Sequence, residues 1–111
     1  MVSSMETEYN LIISKQIEMD IKQIRFYKEK FGSYEGTISK LMKKFDTAAV
    51  ESLATSPMAG TDLSSRLGFA TNFRYKVVEK KYLIFYTIDG KNVNVVRILP
   101  VKSNWQRVLF K

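Results

Sequence analysis

The sequence predicts an α+β fold in which two N-terminal helices pack on one face of a small, mainly antiparallel β-sheet, in the order β-α-α-β-β-β. Three observations predict it. Apolar residues recur at helical spacing in two segments between positions 15 and 53; Phe73-Arg74-Tyr75-Lys76-Val77 alternates apolar and basic residues with a period of two; and the apolar runs Tyr82–Ile88 and Val93–Val101 are joined through Asp89-Gly90.

The elements follow in order. Tyr9-Asn10-Leu11-Ile12-Ile13 is short, apolar and β-prone, and Ser14 after it is a suitable N-cap for a helix. From Lys15 to about Phe31 the apolar stripe is Ile17, Ile21, Ile24 and Tyr27 or Lys28, and Gly32-Ser33 supplies the stop. A second helix from about Tyr34 or Thr37 to Leu53 places Ile38, Leu41, Met42, Phe45, Ala49 and Leu53 on one face, with Lys40, Lys43 and Lys44 elsewhere. Both stripes are core-packing faces rather than cofactor boxes. Ser56-Pro57-Met58-Ala59-Gly60 breaks the helix, and the polar run Thr61 to Arg66 reads as a loop.

In the strand that follows, burial of Phe73, Tyr75 and Val77 presents Arg74 and Lys76 together on the opposite face. Asp89-Gly90 favours the positive φ angles of a tight hairpin, and both a two-residue and a four-residue turn fit. Both hairpin strands are apolar on both faces, as expected of central strands covered by helices on one side. Leu83 and Phe85 share the second face, which is covered either by the C-terminal Trp105-Gln106-Arg107-Val108-Leu109-Phe110 or by a partner.

A chain of 111 residues, 45% hydrophobic and 26% charged, has the size of one domain, read as residues 9–111 after a flexible tail at 1–8. It contains no cysteine and no histidine, which removes disulfides, thiolate metal sites, and the commonest general base and metal ligand. The opening residues do not read as a signal peptide and no run approaches a membrane span, so a soluble, cytoplasmic protein is expected. The net charge of +7 is unevenly spread: residues 66–111 hold 10 Lys/Arg and 2 Asp/Glu, whereas residues 1–65 hold 8 and 9. A concentrated positive field suits an anionic partner, nucleic acid or an acidic protein segment, as well as a merely solvated surface.

The ordered set Phe73-Arg74-Tyr75-Lys76, Tyr82-Leu83-Ile84-Phe85-Tyr86-Thr87-Ile88-Asp89-Gly90, Val96-Arg97-Ile98-Leu99 and Asn104-Trp105 resembles toxins of the RelE/ParE superfamily, partners in type II toxin–antitoxin pairs. The resemblance runs from Tyr9 to Phe110. It implies two helices on one face of a small sheet, no cofactor, no metal and a cognate antitoxin whose acidic segment completes a toxin–antitoxin hetero-oligomer. RelE-type members cut messenger RNA on the ribosome with a basic cluster, and in some a tyrosine; ParE-type members lack the cluster and poison DNA gyrase.

Carried over by position, the RelE pattern gives Arg74 and Lys76 on the third strand, places Leu83 where an arginine is expected, and brings Lys102-Ser103 near the second arginine and Leu109 near the C-terminal tyrosine. A leucine supplies neither a proton acceptor nor fixed positive charge for phosphodiester cleavage. If the chain is a ribonuclease, Arg74, Lys76 and Lys102 are its catalytic candidates, with Tyr82, Tyr86 or Lys81 as proton-transfer groups. The ParE pattern fits better at Leu83, Arg97-Ile98-Leu99 and Trp105, though Pro100 stands where a histidine is common. The expectation is a gyrase-directed toxin, with an mRNA interferase and an inactive antitoxin-binding homologue as alternatives. Residues expected to bind antitoxin or target are Arg74, Lys76, Leu83, Phe85, Arg97, Lys102, Trp105 and Arg107.

Overall fold

The computed structural model describes residues 9–30, 32, 35–47 and 53–110. The predicted tail at 1–8 lies outside them, as do positions 48–52 of the predicted second helix. β1 (Asn10–Ile13) leads through Ser14 into α1 (Lys15–Lys30), followed by α2 (Glu35–Thr47). A one-turn 3-10 helix at Pro57–Ala59 precedes β2 (Thr61–Asp62) and α3 (Leu63–Leu67). Then come β3 (Arg74–Val78), β4 (Tyr82–Asp89), β5 (Asn92–Pro100) and α4 (Trp105–Leu109).

The five strands form one sheet in the order β1-β5-β4-β3-β2. β1 runs parallel to β5, from Asn10 opposite Asn92 to Ile13 opposite Val95, and the other pairings are antiparallel. Side chains alternate across a strand, so the sheet has two apolar faces. On one, Ile17 and Ile24 of α1 and Phe45 of α2 pack on Tyr82, Ile84, Tyr86, Val93, Val95 and Ile98. On the other, Leu63 of α3 and Trp105 of α4 pack on Leu83, Phe85 and Leu99. The C-terminal segment therefore covers the second face, joined by a helix that the sequence reading took for a loop.

That helix corrects the expectation for Thr61 to Arg66. Asp62 stands at its N-cap and accepts a hydrogen bond from the Ser64 amide at 2.9 Å, while Gly68 ends it in a left-handed conformation, φ +80°. Ser14 immediately precedes α1, as expected, and its hydroxyl donates to the Val96 carbonyl at 3.0 Å, which ties the β1–α1 junction to β5. The described part of α2 ends at Thr47, and Leu53, at the expected end of the helix, is buried.

Two turns fix the strand registers. Asp89 pairs with Asn92, so the hairpin loop is the two-residue Gly90-Lys91, opened by Gly90 at φ +59°. In β5, one extra residue interrupts the ladder, because Phe85 pairs with Arg97 while Tyr86 pairs with Val95. As a result the consecutive residues Arg97 and Ile98 both address α1: Arg97 through its guanidinium, Ile98 through its packing and its amide.

Candidate functional site

Arg74 opens β3 opposite Tyr86. Its Nη2 donates to the Met58 carbonyl at 2.9 Å and to the Gly60 carbonyl, while its Nε is buried and makes no hydrogen bond. The Tyr86 hydroxyl donates to the Pro57 carbonyl alongside. Gly60 is required by closeness here, since a Cβ would fall on the Tyr86 hydroxyl and lie 2.9 Å from the Tyr75 carbonyl. Arg74 thus fastens the Pro57–Gly60 turn to the sheet. Nearby, hydrogen bonds from the Ser64 amide and hydroxyl hold the Asp62 carboxyl below its usual range, with Arg74 contributing less.

Lys76 lies opposite Ile84, so Arg74 and Lys76 share one face, and it is the face of Ile84 and Tyr86 that carries α1 and α2. Leu83 and Phe85 belong to the other. The surface expected from the sequence, cations surrounding Leu83 and Phe85, therefore does not form: register places the two pairs on opposite sides of the sheet. Within β3, Val77 is 49% exposed instead of buried and Val78 is buried in its place. Leu83 and Phe85 are 1% and 0% exposed, sealed under α3 and α4, with the Phe85 and Trp105 ring centroids 5.3 Å apart.

The other candidates are scattered. Lys102 is exposed beyond the end of β5, level with Tyr82, which pairs with Pro100. Arg74 is level with Tyr86, four residues further along β4, roughly 13 Å away at about 3.3 Å per residue. Arg97 is engaged internally by Asp20, and Arg107 is exposed on α4. Burial pushes the Tyr82 and Tyr86 hydroxyls above the usual tyrosine range, which makes both harder to deprotonate. A metal-free phosphodiester cleavage site needs these groups converging on one phosphate, and the register separates them.

A feature missed by sequence reasoning is a groove of about 840 Å³ between α1 and the C-terminal half of β5. β1 accompanies β5 only as far as Val95, so among the described residues Val96 to Pro100 have no strand on that side. Ile24, Tyr82, Ile98, Leu99 and Pro100 line the groove, Met19 and Tyr27 stand exposed in its wall, and Lys28, Lys80, Lys81 and Lys102 supply positive charge. Its single carboxylate, Asp20, is already paired with Arg97. The signal available in the sequence was the length of β5 against the short β1, which leaves one strand edge half covered.

Comparison with known proteins bears on this arrangement. A sequence model of the family described as ParE toxin of type II toxin-antitoxin system, parDE, matches residues 11–105. The chain belongs to the ParE toxin family. In structure it is similar to a protein solved as the chromosomal ParDE TA system from P. aeruginosa, at TM-score 0.69 and 15% identity over 86% of this chain and 99% of that one. A solved YafQ from E. coli strain BL21(DE3) aligns at TM-score 0.49 and 19% identity, over 94% of this chain and 100% of that one. No curated protein sequence matches significantly. For a ParE-family chain, the RelE/ParE fold expected from the sequence is the fold observed, with β2, α3, α4 and the 3-10 turn added to the expected set. Among the described residues no helix is long and apolar enough to cross a membrane, and no cluster of acidic residues could hold a metal ion.

Proposed function

We propose that this ParE-family chain is a growth-inhibiting toxin that acts in the cytoplasm by poisoning DNA gyrase and is held inactive by a cognate antitoxin. The observation that carries the non-nuclease reading is the engagement of Arg74. Its guanidinium is bound to the Met58 and Gly60 carbonyls, and the position where a second cation would be needed is the buried Leu83. Among the described residues no cationic cradle for a scissile phosphate is assembled around them. The antitoxin reading is supported by the groove between α1 and β5, where an extended acidic segment would place apolar side chains on Ile98 and Pro100 and carboxylates near Lys80, Lys81 and Lys102.

The test pairs two assays on the purified protein. In a gyrase supercoiling reaction the toxin is expected to inhibit and to trap cleaved gyrase–DNA complexes, while in a reconstituted translation reaction transcripts are expected to stay whole. Cut transcripts with unaffected supercoiling would overturn the gyrase reading in favour of an interferase. Inactivity in both, with tight antitoxin binding, would favour a homologue that only binds antitoxin.

A further inference from the structure

The elements covering the second face of the sheet present a surface that neither the groove nor Arg74 involves. Phe69, after α3, is 54% exposed and Phe110, after α4, is 39% exposed. Their ring centroids are 5.7 Å apart in an edge-to-face contact, and Phe73 meets Phe110 in the same way at 5.7 Å. Beside them Arg66 lies over the rings of Tyr75 and Trp105, at 5.7 and 5.5 Å, and Arg107 is exposed on α4. Residues 63–73 and 104–110, which build this surface, contain Arg66 and Arg107 and no acidic residue, and the adjoining Asp62 is engaged by the Ser64 amide. Residues 106–110, including Arg107 and Phe110, also lie beyond the part of the chain matched by the family model.

Exposed aromatic rings are costly to leave in water, and cations without carboxylates call for an anionic occupant. A second copy of this chain would oppose like charges across the contact, so charge complementarity argues against it. Phenyl rings accept the flat face of any unpaired base, and guanidiniums bind the phosphates between bases; together they make the combination by which single strands are held without sequence preference.

We propose that Phe69, Phe73 and Phe110, flanked by Arg66 and Arg107, form a binding surface for single-stranded DNA. That the strand is unpaired nucleic acid rests on this surface alone; that it is DNA rests on the gyrase reading above.

The test measures the anisotropy of a fluorescent thymidine dodecamer titrated with the purified chain at low and moderate salt. Binding is expected to weaken about fivefold or more in Phe69→Ala and in Phe110→Ala, consistent with the loss of one stacking contact. Both rings are exposed enough for the fold to survive their removal. Phe69→Tyr, which keeps the ring, is expected to bind like the parent, and Arg66→Ala to reduce the salt dependence. Absence of binding, affinity unchanged by both alanine variants, or equal affinity for a duplex of the same length would overturn the proposal. A uridine dodecamer bound tenfold more tightly would overturn the assignment to DNA. Because the assay contains no gyrase, its failure is separable from failure of the supercoiling test.

Discussion

Arg97 on β5 and Asp20 on α1 are joined at two points, Nε to Oδ2 and Nη2 to Oδ1, each at 2.9 Å. Asp20 is only 5% exposed and accepts two further hydrogen bonds, from the Ile98 amide at 3.0 Å and from Gln16 Nε2 at 3.3 Å. Removing the guanidinium leaves a buried carboxylate with neutral donors only. Arg97→Ala is expected to destabilise the fold by about 3 kcal/mol, whereas the double change Asp20→Leu with Arg97→Met costs much less, as read from urea denaturation. Equal losses in both would mean that packing, not the orphaned charge, sets the effect.

Restoring the arginine of the RelE pattern at Leu83 is expected to unfold the domain rather than to create a nuclease. Leu83 is 1% exposed between Leu63, Phe85, Leu99 and Trp105, with no carboxylate among them. An unpaired guanidinium there costs at least about 3 kcal/mol. Thermal unfolding of Leu83→Arg checks this; a folded variant with the parent melting temperature would show that the second face opens readily.

Gly60→Ala is expected to lower stability by about 1–3 kcal/mol, because the added methyl displaces the Tyr86 hydroxyl from the Pro57 carbonyl. Tyr86→Phe in the same chain removes the atom it strikes and should recover part of that loss. A double-mutant cycle measures the coupling; strictly additive effects would contradict the contact.

Stability is expected to fall in alkaline solution through Tyr82 and Tyr86. Burial raises both hydroxyls above the unfolded value near 10, so the native state holds its protons where the unfolded chain has released them. Their contribution is complete below about pH 10 and is lost as pH rises through the folded values. Tyr82→Phe and Tyr86→Phe should flatten this alkaline limb, measured as denaturation midpoints from neutral pH upwards; an unchanged slope would show that these hydroxyls do not set it.

Reversing the charges that line the groove, as in Lys81→Glu with Lys102→Glu, is expected to weaken antitoxin binding at least tenfold. Both residues are exposed, so folding should be preserved. Isothermal titration with the antitoxin's acidic segment measures it, and unchanged affinity would place the antitoxin elsewhere.

The sequence was most informative where a local pattern meets a local cause. Ile17 and Ile24 repeat at helical spacing and are buried on the sheet, and Asp89-Gly90 bends where a positive φ is required. The helix at Leu63–Leu67 was also readable, since Asp62 and Gly68 bracket it, but five residues are too few for a periodic signal. What alternation could not reveal was which face Arg74 and Lys76 join. Period two says that they are together, and only pairing with Tyr86 and Ile84 says with whom. Arg97 escaped for a related reason: the extra residue in β5 turns it towards Asp20, 77 positions earlier, and no local pattern records such a partner.

The parallel seam between β1 and β5 joins Asn10 to Asn92. During synthesis the first strand must wait for its partner until Asn92 to Val95 have left the ribosome. Neither the lysine-lined groove, whose wall needs β5, nor the aromatic surface at α4 exists before then. Such long-range closure is slow compared with local helix formation. Both surfaces are therefore completed together, when the last strand closes the sheet, rather than one element at a time.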